Sequence, residues 1–181
     1  VSYQSMAAGD INSDGLKDLA LCDVNGVCYV FFGPLTDYRT PISSANITIS
    51  GAETSSNCGQ MVAFGDITGD GVNDLLIGCP DFGTSSNGAL FIVIGPLVTG
   101  SNINLLTSPR VFKVEGDANK RFGSDILVVD FNGDGQVETY TVTQDGKVVQ
   151  IENIAVSVAI AQAKASSASS FLFGGGCGLI P

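Results

Sequence analysis

The apolar positions of this chain fall into short, β-compatible runs separated by turn residues. Three such runs, Lys17 to Cys22, Asn73 to Cys79 and Val137 to Val142, each lie shortly after an earlier one: Ser5 to Ala8, Met61 to Phe64 and Ile126 to Val129. After a tight turn a further strand begins in each case, within Gly26 to Pro34, Gly88 to Pro96 and Gly146 to Ile151. The pattern predicts three antiparallel meanders. The stretches Leu35 to Asn57 and Leu97 to Arg121 are long enough for a fourth, outer strand and a crossing loop. Near the end, Ile154, Val156, Val158 and Ile160 alternate with Ala155, Ser157, Ala159 and Ala161, the period of a strand with one apolar face. A helix over Ala159 to Ser170 is the competing reading of that tail.

Between the first and second strands of each meander the chain spells nearly the same acidic loop: Asp10-Ile-Asn12-Ser-Asp14-Gly15-Leu16-Lys-Asp18, Asp66-Ile-Thr68-Gly-Asp70-Gly71-Val72-Asn-Asp74, and Asp130-Phe-Asn132-Gly-Asp134-Gly135-Gln136-Val-Glu138. Oxygen side chains at positions 1, 3, 5 and 9, with the carbonyl of position 7 (Leu16, Val72, Gln136), can surround one hard cation, and the glycine after position 5 permits the sharp turn. The spacing predicts up to three structural calcium ions. An EF-hand opens the same way but requires a bidentate glutamate at position 12 and flanking helices. Position 12 is Leu21, Ile77 and Thr141, and the flanks read as strands.

Composition agrees with a turn-rich β protein: 181 residues, 44% hydrophobic, with 23 glycines and 6 prolines. The net charge is -10, yet 9 of the 18 acidic residues lie in the three loops. Three bound divalent ions would reduce the balance to roughly -4. With eight Lys and Arg in all, a nucleic-acid partner is excluded from the reading.

The first aspartates of the loops are 56 and then 64 residues apart, a period of stacked supersecondary units. With the paired loop and hairpin, the chain resembles FG-GAP repeats, the units of the integrin α-subunit β-propeller. In that family a Phe-Gly precedes the loop and a Gly-Ala-Pro follows the second strand. The third repeat keeps Phe122-Gly123, while the second has Cys58-Gly59 and the first Ser2-Tyr3. At the later signature the repeats have Cys22-Asp23-Val24, Gly78-Cys79-Pro80 and Val142-Thr143-Gln144. Thr68 at position 3 and Glu138 at position 9 depart from the loop pattern. The resemblance covers residues 1 to about 152 and implies an all-β fold of four-stranded propeller-type blades, calcium coordination and extracellular recognition. Enzymes, lipases among them, carry such repeats as scaffold.

The expected organisation is three repeats over 1–153 (about 1–57, 58–121 and 122–153) and an apolar Ala/Ser/Gly-rich tail over 154–181. Three blades are too few to close a ring, so the expectation is an incomplete or open propeller. Val1 falls inside a repeat, as in a processed product, a fragment or part of a longer protein. The tail carries a single charge, Lys164, and is the candidate cover for an open sheet edge. It would fold back on its own chain or be donated to a neighbouring copy, a head-to-tail contact that propagates into filaments unless it closes. Gln162, Lys164 and Ser166 to Ser170 interrupt any membrane span.

Five cysteines without histidine argue for disulfides and an extracellular or cell-surface location. Cys58 and Cys79 flank the second loop symmetrically, and Cys22 and Cys28 flank the turn Asp23 to Val27. Cys177 is left over, as a buried thiol or an intermolecular link. Asn46-Ile-Thr48 is an acceptor sequence for N-linked sugar in a Ser/Thr-rich connection. Without histidine no Ser-His or Cys-His pair exists, and the carboxylates outside the loops, Asp23, Glu53, Asp81 and Asp117, show no catalytic spacing. The expectation is therefore no enzyme. Two classes of function remain: a calcium-binding module for adhesion or recognition of an extracellular protein or glycan, and a self-assembling filament subunit whose tail complements further copies of itself.

Overall fold

The computed structural model describes residues 2–37 and 39–151. It is all-β, with three sheets and, among the described residues, only two short 3-10 turns, Ile42–Ser44 and Thr54–Ser56. The proposed tail strand, Cys177 and the rest of 154–181 lie outside the described residues.

The first sheet holds β1 (Tyr3–Gly9), β2 (Asp18–Asp23), β3 (Cys28–Phe31) and β4 (Ile47–Ser50) as an antiparallel meander. The second holds β5 (Met61–Gly65), β6 (Asp74–Cys79), β7 (Ala89–Val93) and β9 (Val111–Glu115), again antiparallel. β10 (Ile126–Val129), β11 (Glu138–Val142) and β12 (Val148–Ile151) form the third. The expectation of three equal four-stranded units needs correction: the sheets have five, four and three strands among the described residues. The fifth strand of the first sheet is β8 (Asn102–Asn104), which leaves the connection of the second meander to pair parallel with β4. Only one of its three residues, Ile103, is apolar and buried, so no alternation announced it.

Alternation along each strand sorts side chains to two faces, and the sheets stack by these faces. One face of the first sheet, with Ala20, Cys28 and Val30, packs on one face of the second, with Leu75, Ile77, Phe91 and Val93. The opposite face of the second sheet, with Leu76, Leu90 and Ile92, packs on Ile126, Val149 and Ile151 of the third. The second sheet is thus sandwiched, which is why every residue of β6 and β7 is buried. The leading strands approach closely at two glycines in equivalent places. A Cβ on Gly9 of β1 would lie 2.4 Å from Phe64 of β5, and one on Gly65 of β5 would lie 2.3 Å from Val128 of β10. Only a hydrogen side chain fits there.

Both cysteine pairs are bonded, Cys22 to Cys28 and Cys58 to Cys79, and all four residues are fully buried. Cys22 and Cys28 are direct cross-strand partners on β2 and β3. Asp23 closes the turn between them by accepting the amides of Asn25 and Val27. Disulfides of this kind belong to an oxidising, extracellular setting. No helix among the described residues is long and apolar enough to cross a membrane.

Candidate metal loops

Each acidic loop joins the first two strands of its sheet, so the loops occupy equivalent corners. Their backbone is folded around the position 1 carboxylate. One oxygen of Asp10 accepts the amides of Ser13 (2.7 Å) and Asp14 (3.2 Å), and the other accepts Gly15 (2.8 Å). Asp66 does the same with Gly69, Asp70 and Gly71, and Asp130 with Gly133, Asp134 and Gly135. At position 5 one oxygen of Asp14, Asp70 and Asp134 accepts the amide two residues on, at Leu16, Val72 and Gln136. Glycine at position 6 has φ of 84°, 87° and 88°, the left-handed region that the turn demands. The recurring sequence therefore encodes one recurring hydrogen-bond scheme.

Position 3 follows the residue type. Asn12 and Asn132 accept the position 5 amide and turn their own amide groups to the Asp14 and Asp134 carboxylates. Thr68 is too short for that scheme; its hydroxyl points back to Asp66 at 3.4 Å, and its amide donates to Asp74.

Position 9 separates the loops. Asp18 and Asp74 are buried, and each fastens three pieces of chain. One oxygen of Asp18 accepts the amide of Ile11 (2.9 Å), and the other the amide of Gly33 beyond β3 (2.9 Å). Asp74 accepts Ile67 (3.1 Å) and Thr68 on one oxygen and Gly95 beyond β7 (3.1 Å) on the other. Burial pushes the Asp74 carboxyl up to about 6, with the nearby Asp70 charge adding to the rise, against the lowering effect of its three amide donors. Glu138 instead accepts the amide of Phe131 on one oxygen and the Asn132 side chain on the other. Sequence reasoning missed the Gly33 and Gly95 amides as partners of the loop. The recurrence of Gly-Pro at 33–34 and 95–96 was the available signal.

The third loop alone among the described residues brings three acidic ligand atoms within 4.8 Å of one another, from Asp130, Asp134 and Glu138. The longer Glu138 side chain brings its carboxylate within that distance of those at positions 1 and 5, while the other oxygen of Asp18 and of Asp74 takes the amide of Gly33 or Gly95. An all-oxygen set of this kind suits a hard cation and offers no soft ligand to a thiophilic one.

Other predicted positions fall elsewhere. Asn46 is half-buried rather than freely displayed: its oxygen accepts the Phe32 amide (2.7 Å), and its side-chain amide faces Thr99 at 3.5 Å. Asp81 pairs with Arg121 and accepts from Asn57, so it ties the second meander to the entry of the third. Asp23 closes its turn, as above. The carboxylates once free for chemistry are thus structural where the fold engages them.

No protein-family model matches the chain. Three curated proteins are similar to part of it: phosphatidylinositol-glycan-specific phospholipase D from Rattus norvegicus at 38% identity, Mus musculus at 36% and Bos taurus at 35%, each over 85 residues. The match covers 42% of this chain and 10% of the length of each relative. It corrects the expectation of no enzyme, which rested on the missing histidine and on carboxylates without catalytic spacing: the relatives are enzymes by name, and a stretch of this chain is similar to part of them.

Proposed function

We propose that this chain is an extracellular calcium-binding module of FG-GAP type, its sheets serving as propeller blades, that acts in adhesion or in recognition of a protein or glycan. The observation that carries this reading is the threefold recurrence of one carboxylate-centred loop at one corner of three successive sheets. Asp10, Asn12, Asp14, the Leu16 carbonyl and Asp18 would hold one ion. Asp66, Thr68, Asp70, the Val72 carbonyl and Asp74 would hold a second, and Asp130, Asn132, Asp134, the Gln136 carbonyl and Glu138 a third. The ions would relieve the repulsion of carboxylates gathered in each loop, so their first effect is on stability.

The similarity to part of a phosphatidylinositol-glycan-specific phospholipase D supports a β-rich module that works beside other parts of a larger architecture. In that setting the connections between strands form the recognition surface, where loops held by a rigid scaffold place binding groups. Sugar attached at Asn46 would require its side-chain amide to leave Thr99.

Calorimetric titration with calcium, paired with thermal melts in calcium and in EDTA, tests the reading. Extracellular sites bind at about 0.1 to 1 mM, and at ten times that concentration each ion adds about 1.4 kcal/mol. The expected result is up to three binding events and a melting temperature that drops in EDTA, with Asp10→Asn and Asp130→Asn each removing one event. An unchanged melting temperature in EDTA would falsify the proposal.

A further inference from the structure

The first two acidic loops are joined through their backbones. The Asn73 amide, at position 8 of the second loop, donates to the Asp10 carbonyl at position 1 of the first (3.3 Å). A trans peptide unit is planar, with its N–H and C=O pointing in opposite directions, so a partner that fixes one end fixes the other. The unit that carries the Asn73 N–H also carries the Val72 carbonyl, the position 7 oxygen of the second loop. The unit that carries the Asp10 carbonyl also carries the Ile11 N–H, which donates to the Asp18 carboxylate at position 9 of the first loop (2.9 Å). Two peptide units in series therefore link the position 9 carboxylate of one loop to the position 7 carbonyl of the next.

A second connection runs alongside. The Ile11 carbonyl accepts the Leu97 amide (2.9 Å), and two residues earlier the Gly95 amide donates to the Asp74 carboxylate, position 9 of the second loop (3.1 Å). The three segments meet at Gly95, where a Cβ would lie 2.6 Å from the Asn73 carbonyl oxygen and 3.3 Å from that of Ile11. Ile11, Asp18 and Asp74 are buried, which keeps much of both connections out of water and strengthens their hydrogen bonds.

We propose that the first and second loops bind calcium as a coupled pair, with loading of one raising the affinity of the other through these linked peptide units. This coupling rests on the calcium reading proposed above. Occupation of the first loop holds Asp10 and Asp18, and with them the peptide units between Asp18 and Val72. The second loop then loses less conformational freedom when it closes on its own ion. The effect is reciprocal, because the coupling of two binding equilibria is the same in both directions. Asn73 is a positioning residue in this scheme: its amide acts through the Val72 carbonyl.

Calorimetric titration with calcium tests the coupling in the full 181-residue chain carrying Asp130→Asn, which leaves the first two loops as the candidates. Each of them should bind at least about fivefold more tightly with its neighbour loaded than with its neighbour disabled, by Asp14→Asn for the first loop and Asp70→Asn for the second. The factor should be the same in both directions. Adding Asn73→Pro removes the linking N–H and should reduce that factor while both loops still bind, with circular dichroism as the folding check. Amide hydrogen exchange needs no proline variant. With Asp70→Asn and Asp130→Asn together, calcium on the first loop should slow the Asn73 amide of the disabled second loop more than the equivalent Val137 amide of the third. Affinities independent of the neighbouring loop overturn the coupling and leave both loops as calcium sites. A factor untouched by Asn73→Pro, or an Asn73 amide that calcium does not slow, also overturns it. Calcium bound by none of these proteins would overturn the coupling together with the reading on which it rests.

Discussion

Asp74 is fully buried at the meeting point of the second loop and the end of β7, and its carboxyl titrates near pH 6 instead of 3.8. In metal-free protein the folded state therefore holds this proton more tightly than the unfolded chain does across that window. The contribution of Asp74 to stability is most favourable below pH 3.8, declines as pH rises, and reaches its full cost above about 6. A rise of about two units is worth about 3 kcal/mol. The assay is urea denaturation of wild type and Asp74→Asn in EDTA between pH 4 and 7.5. The asparagine does not titrate, so the difference between the two proteins isolates this group from the other carboxylates. Wild type should lose about 2.5 kcal/mol relative to the variant over that range, because part of the effect is already spent at pH 4. Bound calcium favours the charged carboxylate, so in calcium the slope should flatten or reverse. A difference that stays constant with pH in EDTA would refute the reasoning, because it would mean that burial does not set the proton affinity of this group.

Removing the Cys58–Cys79 bond by the double change to Ala should cost about 3 kcal/mol, since it closes a loop with a sequence separation of 21; denaturant midpoints measure it. Gly9→Ala and Gly65→Ala place a methyl group against Phe64 and Val128 at distances no real contact shows, and each should cost about 1–3 kcal/mol by thermal melt. Ile11→Ala should cost about 2–5 kcal/mol, whereas Phe131→Ala at the equivalent place should cost under about 1 kcal/mol. Equal costs for that last pair would contradict the stacking described here.

The meanders were legible because period-2 alternation and the turn residues are local signals. The loop sites were legible as ligand lists for the same reason. What escaped the sequence depends on distant partners. β8 pairs with β4 through backbone groups that three residues, Asn-Ile-Asn, do not advertise. The burial of Asp18 and Asp74 depends on glycine amides 15 and 21 residues away, which nothing in the letters of the loop itself announces. Glu138 reads as a departure from the loop pattern, yet it completes the group of three acidic ligand atoms in its loop. Asn46 sat among serines and threonines, but its side-chain oxygen accepts the Phe32 amide just past the end of β3. The enzyme question was lost on different grounds. Absent histidine speaks of chemistry within the chain and says nothing of the architectures in which such a stretch recurs.

The first loop is held from both sides. Its aspartates fold it onto β2, while the Asn73 amide donates to the Asp10 carbonyl and the Leu97 amide to the Ile11 carbonyl. Written order assigns this loop to one repeat, yet two of its carbonyls are gripped by the next, like the overlapping halves of a lap joint. Under tension, then, the first sheet cannot peel away as a bead on a string: its loop must slip from the neighbour's grasp while the interface opens. A duplication that copied this segment would carry clasp and socket together, and an array of such units could lengthen without inventing a new joint.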